Sequence, residues 1–160
     1  MKKFILASLA ATALVTTAVS ADTTTHINLG GSNYSVNGAT ANGFNVGFGA
    51  TRVWDSGILA TFDLGYGQAD ISGDSVKNYG GDIKVGYKWK AVAVYGIGSA
   101  IYGSLASVTT AGFGYGAGFE VDTPWEYLGV GVDYTKYSMT PEVGPDFDMD
   151  IAKAYLSIHW

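Results

Sequence analysis

The chain contains no cysteine, so no disulfide framework braces it and no lipid-modified cysteine anchors it. Charge is scarce too: 14% of the residues are Asp, Glu, Lys or Arg, against roughly 25% in a soluble domain. The net charge is −5, and beyond Lys2-Lys3 the basic residues form no cluster, which argues against nucleic acid as a partner. Long apolar helical runs are also missing past the N-terminus. The stretch 91–119 carries no charge at all, but it holds glycine at 96, 98, 103, 112, 114, 116 and 118. Each glycine costs about 1 kcal/mol in a helix interior, and most of these recur at every second residue, which is the period of a strand. At 48%, the hydrophobic fraction is ordinary, because the apolar residues are diluted by alternation.

Met1-Lys2-Lys3, the apolar run 4–15 and the small residues Val19-Ser20-Ala21 read as a secretory leader over 1–21, cleaved after Ala21. One domain remains over 22–160, a length of 160−21 = 139 residues. Its tryptophans fall at 54, 89, 125 and 160, so the spacings are 35, 36 and 35 (89−54, 125−89, 160−125). Such a period fits two strands of roughly ten to twelve residues with a loop and a tight turn. Glycine content and a two-residue period exclude helical repeats, and four strands per propeller blade would be cramped.

Parity counted from the tryptophans gives eight strands, over 24–36, 42–54, 58–69, 78–89, 91–103, 111–122, 127–138 and 150–160. Phe44, Val46 and Phe48 alternate with Asn45, Gly47 and Gly49; Phe113, Tyr115, Ala117 and Phe119 alternate with Gly112, Gly114, Gly116 and Gly118. For the fifth strand, matching Gly96 and Gly98 to the glycine-bearing faces elsewhere puts Ala93, Tyr95, Ile97 and Ile101 on the outside. Strand charges fall almost only on the glycine-bearing face: Asp63, Asp82, Lys84, Lys88, Glu120, Asp133 and Lys153. A soluble sandwich or lipocalin-like barrel would scatter charge over its exterior. A barrel in lipid inverts this, with an apolar wall outside and a polar interior. The expected fold is therefore all-β: an eight-stranded antiparallel up-and-down transmembrane barrel. Arg52 and Lys136 are exceptions near strand ends, where long side chains snorkel to headgroups.

Leader, alternating strands, short turns at the tryptophan end and the terminal run Ala152-x-Ala154-x-Leu156-x-Ile158-x-Trp160 together resemble the small OmpA/OmpX-type outer-membrane barrels of Gram-negative bacteria. The resemblance spans the mature chain and is one of pattern. It implies location in the outer membrane of the cell envelope. Lipid and lipopolysaccharide would surround the barrel, and the barrel-assembly machinery would read Ala152, Ala154, Leu156, Ile158 and Trp160. It also implies that Trp54, Trp89, Trp125 and Trp160 form a periplasmic aromatic girdle. Connections at 37–41, 70–77, 105–110 and 139–149 would then face outside, where they could meet an extracellular ligand. Tyr34, Phe44, Tyr66, Tyr79, Tyr102, Phe113 and Tyr134 would supply the outer girdle. No peptidoglycan-binding domain is expected after Trp160.

The lumen charges have two readings. An eight-stranded barrel is only just wide enough to be filled by side chains, which favours a salt-bridge plug, with Tyr137 and Tyr155 adding bulk. Glycine at many inner positions leaves volume for the alternative, a narrow porin-like channel. His26 and His159 come together if the barrel closes, but no third metal ligand is evident, so they read as polar lining. Lipid A-modifying enzymes share this fold size. Their chemistry needs a nucleophile and base at the outer leaflet, and both histidines lie at the other end, so no enzyme and no cofactor is expected. Asp70 and Asp74, and Glu142, Asp146, Asp148 and Asp150, have no complete calcium-loop spacing.

Overall fold

The computed structural model describes residues 23–71, 74–105, 108–125 and 127–160; the expected leader lies outside these. Eight strands follow in order: β1 Thr23–Val36, β2 Ala39–Val53, β3 Ile58–Ile71, β4 Asp74–Trp89, β5 Val92–Leu105, β6 Val108–Asp122, β7 Leu128–Pro141 and β8 Phe147–His159. Each pairs antiparallel with its neighbour, and β8 returns to β1, closing the barrel. Asn37-Gly38 joins β1 to β2 with φ of 50° and 85°, the left-handed pair that a two-residue Asn-Gly hairpin turn requires.

The register fixes the shape. The path His26–Gly49–Asp63–Asp82–Ser99–Gly114–Tyr137–Met149 crosses all eight strands and returns to β1 at Val36. The shear is therefore ten residues (36−26). With strands ~4.8 Å apart and ~3.3 Å per residue, this sets a tilt of about 40°. Trp54 and Phe44 in the β2 segment, and Trp89 and Tyr79 in β4, are each ten residues apart (54−44, 89−79). Projected on the barrel axis, ten residues span roughly 25 Å, the height of a lipid-facing band.

The outer wall between those levels is apolar on all sides. Phe48, Leu64, Ile83, Val94, Phe119, Val132 and Leu156 are all exposed, an arrangement that water would penalise and hydrocarbon would not. All four tryptophans are exposed at one end. At the other, Phe44, Tyr66 and Tyr79 form an arc of rings, with centroids 5.8 and 5.0 Å apart. Tyr34 does not join this girdle: it is 1% exposed, inside the barrel, because even-numbered residues of β1 face the lumen.

Two further expectations are corrected. In β5 the faces are reversed: Ala93, Tyr95, Ile97 and Ile101 are buried in the lumen and Gly96 and Gly98 face outward. Tyr95 pairs across the sheet with Gly86 on one side and Gly118 on the other, and a side chain at either would collide with it. The neighbours already supply the glycines that make room, so β5 carries bulk inward. Tyr155 repeats the arrangement between Gly131 and Gly30. At Gly98 nothing lies within 4 Å of an added Cβ. Gly98→Leu is therefore expected to leave stability unchanged or raise it by up to about 1 kcal/mol. Urea unfolding in bilayers measures this, and a loss above about 2 kcal/mol would put the residue back in the lumen.

The connections at the outer end are also shorter than expected. β3 and β4 pair out to Ile71 and Asp74, β5 and β6 to Leu105 and Val108, and only residues 142–146 separate β7 from β8. Asp70, Asp74, Asp148 and Asp150 thus lie on strands. Ser75, Lys77, Thr109 and Thr140 gave these segments a loop-like composition because the strands have risen above the apolar band, where the outer face is wet.

Candidate functional site

The lumen is filled in three tiers, and the lower two hold most of the barrel's paired charge. The lowest is a belt of polar contacts. His26 (β1) bonds Asp63 (β3) through Nε2 and Oδ1 at 2.6 Å, and Asp63 Oδ2 lies 3.1 Å from Lys84 Nζ (β4). Lys84 donates to Asp133 (β7) at 2.9 Å, and Tyr95 (β5) donates to the other oxygen of Asp133 at 2.7 Å. The hydroxyls of Tyr95 and Tyr155 (β8) are 2.7 Å apart, and Tyr155 reaches Glu120 (β6) at 3.3 Å. Because Tyr95 spends its hydrogen on Asp133, the single hydroxyl hydrogen of Tyr155 serves both Tyr95 and Glu120. Glu120 lies 3.1 Å from His159 Nε2, at ion-pair distance but out of line for a hydrogen bond. The rings of His159 and His26 stand 5.8 Å apart across the β1–β8 seam.

Seven strands contribute to the belt. The eighth, β2, contributes Gly49, where any side chain would strike Asp63 and His26. Lys84 is the hub. Besides its two carboxylates, it sits 4.9 and 5.2 Å from the ring centroids of Tyr95 and Tyr155, which favours a cation by their quadrupoles. A buried ammonium is tolerated only with such partners.

The second tier lies nearer the outer end. Lys153 (β8) pairs with Asp82 (β4) at 3.1 Å. Asp82 accepts a short hydrogen bond from Ser99 (β5), whose oxygen is 2.9 Å from the Tyr137 hydroxyl (β7). The third tier is apolar: Tyr34, Val36, Ile101, Met139, Met149 and Ile151 pack together across the outer mouth. Between belt and plug is a cavity of about 50 Å³ bordered by Asn28, Asn78, Asp63, Asp82, Lys84 and Lys153. That is room for a few waters and no solute.

Six of the seven charges expected in the lumen network take part in these two tiers. Lys88 does not; it pairs with Asp122 at 2.6 Å, both partly exposed at the tryptophan end. Three features escaped the sequence reading. The histidines are members of the belt and do more than line it. The apolar plug was hidden because Tyr34 and Ile101 were read as outward-facing and Met139 and Met149 as part of a loop. The glycines do not empty the lumen, since most yield their space to a neighbour's side chain. Lys136 pairs with Asp148 at 3.1 Å on the outer wall. Ala152, Ala154, Leu156, Ile158 and Trp160 all face outward, and Trp160 exchanges backbone hydrogen bonds with Thr25 at 3.0 and 3.1 Å. Among the described residues, no three His, Asp or Glu side chains are placed to hold a metal ion.

No protein-family model matches the chain, and no curated protein matches it in sequence. Solved structures do match its shape. Neisserial surface protein A is 12% identical, with a TM-score of 0.52 over 86% of this chain and 97% of that one. The Yersinia pestis outer-membrane protein Ail, solved in a phospholipid bilayer nanodisc, is 13% identical, with a TM-score of 0.52 over 86% of this chain and 99% of its own. At these identities the likeness is one of fold, and the fold is that of the small eight-stranded outer-membrane barrels.

Proposed function

We propose that the chain is an integral protein of a Gram-negative outer membrane, exported by a leader over 1–21 and acting structurally or in surface interaction, with a lumen that passes no solute. The observation that carries this reading is the inversion of polarity. Ion pairs and hydroxyls fill the interior, while aromatic and aliphatic side chains cover the exterior over a band of roughly 25 Å. Phospholipid and lipopolysaccharide are the surroundings such a wall fits. The outward strand ending at Trp160 is the segment we assign to the barrel-assembly machinery. Short outer turns leave limited surface for an extracellular ligand, so any such partner would meet the polar strand ends and residues 142–146.

The same interior supports a non-catalytic role: the residues Ser157, Thr135 and Tyr137, each carrying a hydroxyl, are fully buried. Planar-bilayer recording tests the sealed lumen. Neither the wild-type protein nor Lys84→Ala is expected to conduct, because the apolar plug remains above the belt in both. Steady unitary conductance of the wild type would overturn the closed reading in favour of the narrow channel.

A further inference from the structure

Arg52 and Lys90 stand apart from the other cations near the tryptophan end. Lys84, Lys88, Lys136 and Lys153 are ion-paired; among the described residues, Arg52 and Lys90 have no carboxylate partner. Each lies instead over a girdle ring. The Arg52 guanidinium is 5.3 Å from the Trp54 centroid, and the Lys90 ammonium 5.2 Å from that of Trp89. The Arg52 Nε is buried and bonds to nothing in the protein. Trp125 and Trp160 are exposed too but carry no cation, so among the described residues the unpaired positive charge lies on one side of the rim.

That side is a continuous piece of wall. Arg52 pairs across the sheet with Ala60, and Ala60 with Val85; Ile58 pairs with Tyr87. Ile58 and Tyr87 are both exposed and lie between the two cation–tryptophan pairs. An apolar strip thus leads down to two cations that lack an anion, the half-buried Arg52 and the exposed Lys90, at the level where the hydrocarbon ends. Phosphate oxygens would complete the guanidinium's donor set, and a ring beneath each cation keeps its charge pointed at the interface.

We propose that the β2–β4 wall binds acidic phospholipid of the periplasmic leaflet, one headgroup phosphate at Arg52/Trp54 and a second at Lys90/Trp89, with acyl chains along Ile58 and Tyr87. Register places the two cations two strands and several residues apart, too far for one phosphate to bridge. This rests on the membrane reading above, which puts the tryptophan end at a bilayer surface.

Native mass spectrometry of the refolded protein, released from detergent with phosphatidylglycerol, phosphatidylcholine or inorganic phosphate added, tests the site. The wild type is expected to retain two phosphatidylglycerol molecules and to hold phosphatidylcholine several-fold less well. Arg52→Gln and Lys90→Gln should each lose one, with about ten-fold weaker retention, and the double variant should lose both. Lys77→Gln, at the outer end, should change nothing. Equal retention by the double variant, or an equal loss in Lys77→Gln, would overturn the site, and binding of inorganic phosphate without lipid preference would reduce it to a phosphate site. Tryptophan fluorescence on vesicle insertion separates the two levels: wild type that fails to insert sinks the membrane reading, while normal insertion without lipid selectivity sinks only this proposal.

Discussion

Replacing Lys84 with methionine is expected to remove about 3–5 kcal/mol of folding free energy, among the largest losses from any single substitution in the barrel. The ammonium lies 3.1 Å from Asp63 and 2.9 Å from Asp133, and all three residues are at most 5% exposed. Methionine keeps the volume and removes the charge. Two carboxylates then face each other in an enclosed lumen, relieved only by His26 on one side and Tyr95 on the other. The loss reports stranded anions and not the net worth of the triad, since a buried ion cluster repays little more than its own desolvation. Asp63→Asn and Asp133→Asn added to Lys84→Met should therefore recover most of it. Urea titration of bilayer-refolded protein measures both steps. A single-variant loss under about 1 kcal/mol would mean that water reaches the belt freely. The exposed Lys136–Asp148 pair sits at the other extreme, where solvent screens the attraction.

The barrel was legible because its signal is repeated. Each tryptophan marks the same end, and the alternation of β2, β6 and β8 leaves no second parity. Charge sorted itself by the same rule: Asp63, Lys84, Asp133 and Lys153 all fall on the inner face, and the two exceptions read from the sequence, Arg52 and Lys136, both lie outside, as do Lys77 and Asp148 on the extended strand ends. Partners were not legible, because pairing in the lumen runs across the barrel. Asp63 and Asp82 are neighbours in register, yet Asp63 binds β1 and β4 while Asp82 binds β5 and β8. Tilt and shear decide such contacts, and neither is written in one strand. Strand five failed for a related reason. Whether glycine faces in or out depends on what the adjacent strands already carry, and Tyr95 could point inward only because Gly86 and Gly118 flank it. The strand extensions at the outer end were missed because above the hydrocarbon a strand loses its apolar face and takes the composition of a loop.

Glycine as a provider of space leads to the second large effect. Gly131→Val is expected to cost about 3 kcal/mol or more, or to block refolding altogether, although valine suits a strand better than glycine does. An added Cβ at Gly131 would meet the ring and hydroxyl of Tyr155, which is 4% exposed. A side chain at Gly30, on the other side of Tyr155, would likewise meet the Cα and Cβ of Tyr155, so both flanking glycines serve the room of this one residue. Turning it away would break its contacts with Tyr95 and Glu120 and withdraw a ring from Lys84, so the steric fault spreads through the belt. Gly98→Leu adds more bulk at an equally regular strand position but faces lipid, and should be harmless. The pair therefore separates packing from propensity. Tyr155→Ala in the Gly131→Val background should restore part of the loss, because it removes the obstacle while giving up the tyrosine's hydrogen bonds. If Gly131→Val unfolds at the wild-type urea concentration, Tyr155 has space that the present packing denies it, and the lumen is looser than the contacts among its tyrosines imply.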